Sequence, residues 1–216
     1  MEKPKKVLKN EIKYQIQLNE EQKETKRLII ENQIVIITGR AGCGKSLVSA
    51  QTALDFLFKK QFEKILITRA AVEVGHSLGF LPGSLDEKFN PYLEAFQENL
   101  VKCYDKVKIE ELIHEKKVLA LPVQFIRGKT IDDVLVVEEA QNLTKAEMMA
   151  ILTRLGKTGK IIINGDNEQK DIKDPINGLS YAIELSKKIE EIKWVKLKYN
   201  HRSDLVGKIL EYEYGK

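Results

Sequence analysis

The stretch IVIITGRAGCGKSLVSAQTALDFLF, residues 34–58, restricts this chain more than any other feature. Five consecutive β-branched residues, Ile34 to Thr38, show no polar alternation, the pattern of a strand covered on both faces of a parallel sheet. Gly39, Gly42 and Gly44 follow at once. Glycine costs roughly 1 kcal/mol inside a regular element, so its repetition says that the backbone must approach something closely. Lys45 and Ser46 complete the pattern G-x-x-x-x-G-K-[ST], and helical periodicity begins directly behind them. Between a strand and a helix, the backbone of Gly39, Arg40, Ala41, Gly42, Cys43 and Gly44 is expected to turn its N–H groups inward as an anion nest. The helix that starts there adds the positive end of its dipole. Lys45 then reaches β and γ phosphates, and the Ser46 hydroxyl is placed for Mg2+. Cys43 stands at a variable position and reads as a small filler.

The same alternation recurs along the chain. Apolar runs KILIT (64–68), VLAL (118–121), VQFI (123–126), VLVV (134–137), KIIIN (160–164) and WVKLK (194–198) read as strands. Helical patterns separate them: one opening at Asn19 with Gln22 at its third position, then SLVSAQTALDFLFKK, KAEMMAILTRL, PINGLSYAIELSKKIEEI and a closing SDLVGKILEYEY. This order predicts an α/β fold, a mostly parallel sheet with helices on both faces and right-handed crossovers. Residues 1–17 read as a basic arm with an edge strand over Tyr14–Gln17, and 18–216 as one domain. The stretch from Val72 to Pro122 is too long for a simple loop and reads as an insertion carrying a partner-binding surface.

Composition narrows the setting. With 43% apolar and 31% charged residues the balance is that of a soluble globular chain. A net charge of +4 permits a polyanionic partner without demanding one. Cys43 and Cys103, far apart and in no CxxC spacing, point to neither a disulfide framework nor a zinc site. The lysines of MEKPKKVLKN have no apolar segment behind them, and the longest apolar runs have the length of a strand. The expectation is a reducing, cytoplasmic protein with no membrane partner.

Further acids decide what a phosphate cradle would be used for. VLVVEEAQN puts Glu138 and Glu139 at the end of an apolar strand, where side chains reach the crevice beyond the carboxyl edge of a parallel sheet. Glu138 suits a Mg2+ ligand and Glu139 a base that polarises the attacking water, a pair that favours hydrolysis over transfer to a bound acceptor. IIINGDNEQKD repeats the arrangement on the next strand with Asn164, Asp166 and Gln169, and Gln169 is the candidate sensor of a γ phosphate. Either Arg202 or Arg154 would supply the guanidinium that neutralises developing charge. His76, His114 and His201 form no ligand cluster by spacing.

With these residues assembled, the chain resembles the PhoH-like ATPases, relatives of superfamily 1 helicases with a single RecA-like core. The likeness runs from about Leu18 to Leu210 through LNEEQ, GRAGCGKS, ITRAAVEVGHSLGFLPG, FIRGKTIDD, EEAQN and LTRLGKTGKIIINGDNEQKDI. It implies ATP and Mg2+ as ligands and single-stranded nucleic acid, RNA or DNA, as a partner. Gln22 would read adenine, where its position alone makes it equally a helix cap. Arg69 and residues His76 to Gly83 would face nucleic acid; Arg127 and Lys129 would line the same channel or meet a neighbouring subunit. Aspartate usually stands where Glu138 is found, which makes the carboxylate one methylene longer. Superfamily 1 motors close ATP between two lobes and this chain has the length for one, so a homo-oligomer, a hexamer among the options, is expected to complete the site. Two other classes compete: a module that holds nucleotide without hydrolysing it, and a small-molecule kinase.

Overall fold

The computed structural model describes residues 12–70, 85–169, 176–199 and 201, with isolated positions 205, 208 and 212; for 85–92 it describes the backbone alone. Six strands form one parallel sheet: β1 Ile34–Thr38, β2 Ile65–Arg69, β3 Val118–Ala120, β4 Val134–Glu138, β5 Lys160–Gly165 and β6 Ile192–Lys196. Their order is β3-β2-β4-β5-β1-β6. The sequence-predicted α/β fold is therefore observed, and its sheet is parallel throughout the described residues.

Alternate residues of each strand feed two cores. Val35, Ile37, Val134, Val136 and Ile162 pack under α1 (Glu20–Glu31), α2 (Lys45–Phe58), α3 (Leu85–Cys103) and α4 (Lys106–His114). Ile36, Leu135, Val137, Ile161 and Ile163 pack under α5 (Val123–Ile126), α6 (Lys145–Leu152) and α7 (Gly178–Ser186). Double coverage explains the unbroken apolar runs: a strand with no wet face has no position for a polar residue.

Four expectations shift. Tyr14–Gln17 is not a strand; it lies across α2, with the Tyr14 hydroxyl on Asp55 and the Gln51 side chain donating to Ile16 O at 3.1 Å. VQFI is the short helix α5, because Pro122 starts a turn in which Val123 and Ile126 face inward and Phe125 stays exposed. The last strand begins two residues early, at Ile192, since its register follows β1 from Ile34 to Thr38. Of the stretch Val72 to Pro122, read as an insertion, the described part from residue 85 onward packs with the main body: Phe96 and Leu100 are core residues beside α2, and β3 is a sheet edge. The closing helix expected over 203–214 lies, save three helical positions, outside the described residues.

The registers bring one edge of the sheet together. Thr38 pairs with Gly165, Val137 pairs with Ile163, and Arg69 pairs with Glu138, so the ends of β1, β5, β4 and β2 open on the same side. Helix α1 is held at both ends over this frame. Asn19 and Gln22 form a capping box at its start, and Lys160 donates to Ile29 O, Ile30 O and Asn32 O at its end, between 2.8 and 2.9 Å. No helix among the described residues is long and apolar enough to cross a membrane.

Candidate functional site

The loop after β1 uses glycine where other residues would not fit. Gly39, Gly42 and Gly44 have φ of 152°, 90° and 89°. At Gly44 a Cβ would run into Gln22 Nε2, and at Gly39 one would lie 2.6 Å from Leu197 O. The positive φ and the crowding together require glycine at both. Lys45 opens α2, and its ammonium folds back onto the carbonyls of Gly39 and Arg40. The helix N-terminus and the turned loop form the concavity that suits phosphate oxygens.

Opposite the loop, Ser46 Oγ donates to Glu138 Oε2 at 2.9 Å, and Asn164 Nδ2 donates to Glu138 Oε1 at 2.8 Å. Asn164 is itself fixed by Ser49 Oγ at 3.0 Å. Burial pushes the Glu138 carboxyl up to about 7, against the downward pull of Asn164 and Ser46. Glu139 follows in the left-handed region, φ 50° and ψ 45°, uncommon for a residue with a side chain and a strain that clusters at functional sites. Gln141 Nε2 donates to Glu139 Oε2 at 2.5 Å and to Gln169 O at 3.2 Å, while its Oε1 accepts from Asp166 N at 3.0 Å. One amide thus couples the acid to the loop after β5. Asp166 is 6% exposed and its Oδ2 has no partner among the described residues; burial raises its carboxyl above the usual range.

Loop, acids and Asn164 open onto one cavity of about 560 Å³. Gln169 lines it with Glu138 and Glu139, and Gln22 and His201 line it where they meet the loop at Gly42 to Gly44. The volume lies within the range of small-molecule sites. A serine hydroxyl and a carboxylate oxygen, 2.9 Å apart at the cradle's mouth, are the hard oxygen donors that Mg2+ takes when phosphate and water complete its shell. Among the described residues no cluster of three or more His, Cys, Asp or Glu could hold a metal by itself. A shared magnesium and phosphate site needs none.

The structure brings together most of the sequence-predicted residues and separates others. Ala41, Gly42, Gly44, Lys45, Ser46, Glu138, Glu139, Gln169 and Gln22 line the cavity. The Arg40 side chain points outward to Glu168 at 2.9 Å, and Cys43 is buried behind the loop, where burial pushes its thiol up. Arg154 lies at the opposite edge of the sheet: its N–H groups reach Arg127 O, and its carbonyl accepts from Ile131 N ahead of β4. It does not line the cavity of its own chain, and the Arg127 backbone lies beside it. Arg202 and residues 76–83 lie outside the described residues. Gln141 and His201 went unassigned in the sequence. The only signal for Gln141 was its place two residues beyond paired acids, and His201 carried none.

Sheet order, glycine cradle and acid-tipped strand define a P-loop NTPase of the RecA-like kind. The PhoH family, described as PhoH-like protein, matches residues 15–213. The chain is 39% identical over 194 residues to the PhoH-like protein of Bacillus subtilis (strain 168), covering 88% of this chain and 61% of that one. It is 37% identical over 170 residues to Protein PhoH of Escherichia coli (strain K12), covering 77% and 48%. The chain belongs to the PhoH-like family. It spans roughly half to three-fifths of the length of these relatives. Among solved structures, the large terminase of a thermophilic bacteriophage is similar in fold, with a TM-score of 0.56 at 10% identity, over 93% of this chain and 51% of that one.

Proposed function

We propose that this protein hydrolyses ATP with Mg2+, and that it does so as an oligomer linked to single-stranded nucleic acid. The observation that carries the proposal is convergence: Lys45, Ser46, Glu138 and Glu139, drawn from two elements 92 residues apart between Ser46 and Glu138, face one cavity. Mg2+, when bound, draws charge from the β and γ phosphate oxygens. Ser46 and Glu138 would hold it, and the Lys45 ammonium would leave the loop carbonyls for the phosphates. Glu139 takes a proton from water as the water oxygen bonds to the γ phosphorus; the bond from that phosphorus to the β–γ bridging oxygen breaks, and its electron pair leaves with ADP. Gln141 holds the Glu139 carboxylate for this task and, through Gln169 O, links it to the candidate γ-phosphate sensor.

A neighbouring copy would contribute the missing guanidinium, from Arg154 or Arg202, since Arg154 lies at the far edge of its own sheet. Cytoplasmic location and a nucleic-acid surface around Arg69 belong to the same proposal. Phosphate release should be measured with and without single-stranded RNA and DNA, beside the mass of the particle in solution. Glu139→Gln should lower turnover about 10²- to 10⁴-fold while ATP binding stays within a fewfold. Turnover equal to the parent's would replace hydrolysis by the nucleotide-holding reading, and phosphate transferred to a small acceptor would replace it by a kinase.

A further inference from the structure

The cavity wall at Gln22 and His201 holds a polar cluster with no part in phosphate chemistry. The capping box of α1 is reciprocal: Gln22 N donates to Asn19 Oδ1 at 2.8 Å, and Asn19 N donates to Gln22 Oε1 at 3.1 Å. A backbone donor therefore fixes each carboxamide oxygen, and each carboxamide nitrogen must face the other way. Both nitrogens meet at one atom. His201 Nε2 lies 3.1 Å from Asn19 Nδ2 and 3.1 Å from Gln22 Nε2. Two NH2 groups aimed at one ring nitrogen require an acceptor there, which puts the imidazole proton on Nδ1. The second hydrogen of Gln22 Nε2 goes to Cys43 O at 3.3 Å, and His201 N donates to Gly42 O at 3.1 Å.

This arithmetic changes what Gln22 offers a base. The residue is 2% exposed and both its N–H donors are used inside the protein. What remains is the second lone pair of Oε1, an acceptor. One donor left on this wall is His201 Nδ1–H, on an exposed ring that lines the cavity and has no partner for that atom among the described residues. We infer that His201 is a specificity-determining residue for the nucleotide base, supplying the donor that complements the Gln22 acceptor. An acceptor beside a donor matches adenine, whose amino group stands next to a ring nitrogen on either edge. Guanine presents O6 where the amino group would be, and O6 would face the Gln22 oxygen.

The inference rests on the ATP reading of the site, and the test separates the two. Dissociation constants for ATP and GTP are measured by calorimetry on the full chain, for the parent, His201→Leu and His201→Asn. The asparagine returns an amide N–H near the position of Nδ1. The leucine variant should bind ATP three- to tenfold more weakly and lose ATP-over-GTP preference by the same factor, the worth of one hydrogen bond. The asparagine variant should recover most of both. Equal weakening toward ATP and GTP would make His201 a clamp on the helix start and overturn the inference, as would a parent that binds both equally. A parent that binds neither would take down the ATP reading and this inference with it.

Discussion

Two carboxylates in this chain, Asp55 buried and Glu138 half-buried, live in opposite surroundings. Asp55 on α2 is met by Lys26 Nζ at 2.6 Å and by the Tyr14 hydroxyl at 2.5 Å. These two partners come from α1 and the segment before it, with Lys59 Nζ at 3.7 Å beyond them, and burial together with this carboxylate raises the Tyr14 hydroxyl well above its usual range. The charge of Asp55 is closed within the protein. Glu138 on β4 is touched by neutral groups, Ser46 and Asn164, and burial holds its carboxyl near 7. Hydrogen-bond dipoles orient that carboxylate without cancelling it. The first acid fastens an element; the second has no cation closing it within the protein and is left open to something that arrives from outside, which is what an acid at a magnesium site must be.

The contrast breaks most visibly at Asp55. Asp55→Ala leaves Lys26, whose side chain is 18% exposed, with no carboxylate in a closed site, and about 3–5 kcal/mol of folding stability should be lost in urea titration. Replacing both partners, Asp55→Leu with Lys26→Met, should return most of it, because two apolar side chains leave no orphaned charge. A single variant that costs less than about 1 kcal/mol would mean that the pair is solvated and no fastener at all.

Glu138→Gln should move the other way, and by less. A carboxyl raised from 4.5 to about 7 binds its proton more tightly in the folded chain, so folding without ligand loses stability as pH rises from about 4.5 to 7 and carries the full cost above that. The nucleotide-free glutamine variant should therefore be more stable than the parent at pH 8, by about 1–2 kcal/mol, with the gain fading toward pH 5. Mg2+ with ATP should reverse the ranking at pH 8, since only the parent offers the metal a charged ligand. A variant less stable than the parent at pH 8 without ligand would put Glu138 in the same class as Asp55.

The sequence disclosed the site unevenly, for physical reasons that differ from residue to residue. The loop and its strand were legible because Gly39 and Gly44 answer local demands, a positive φ and a close neighbour, and because β1 is covered on both faces. Glu138 and Glu139 were legible as acids at a strand end. Gln141 and His201 were not, since their partners at Gln169, Asp166, Asn19 and Gln22 are brought near only by the fold. Arg154 follows the acidic strand in sequence as part of LTRLG, while α6 carries it back to the start of β4, so its place relative to the cavity of its own chain could not be read from the order of motifs. VQFI reads as a strand by composition, and only its two inward residues, three apart, betray the helix.

The smallest effect belongs to the Arg40–Glu168 pair, which spans the phosphate loop and the loop after β5 at 2.9 Å with both side chains more than two-fifths exposed. It resembles the Asp55–Lys26 contact in distance and differs from it in burial. Water screens an exposed pair, and two long side chains lose rotamer freedom to form it, so Arg40→Ala should change folding stability by about 0–0.5 kcal/mol, and added salt should erase even that. Thermal unfolding of the parent and the variant at low and high salt checks it. If Arg40→Ala costs as much as Asp55→Ala, distance rather than burial sets the worth of an ion pair in this fold, and the division between fastening and functional carboxylates falls. If the cost is as small as expected while ATP affinity also stays put, the outward turn of Arg40 marks a loop position that needs neither charge for folding nor contact with phosphate.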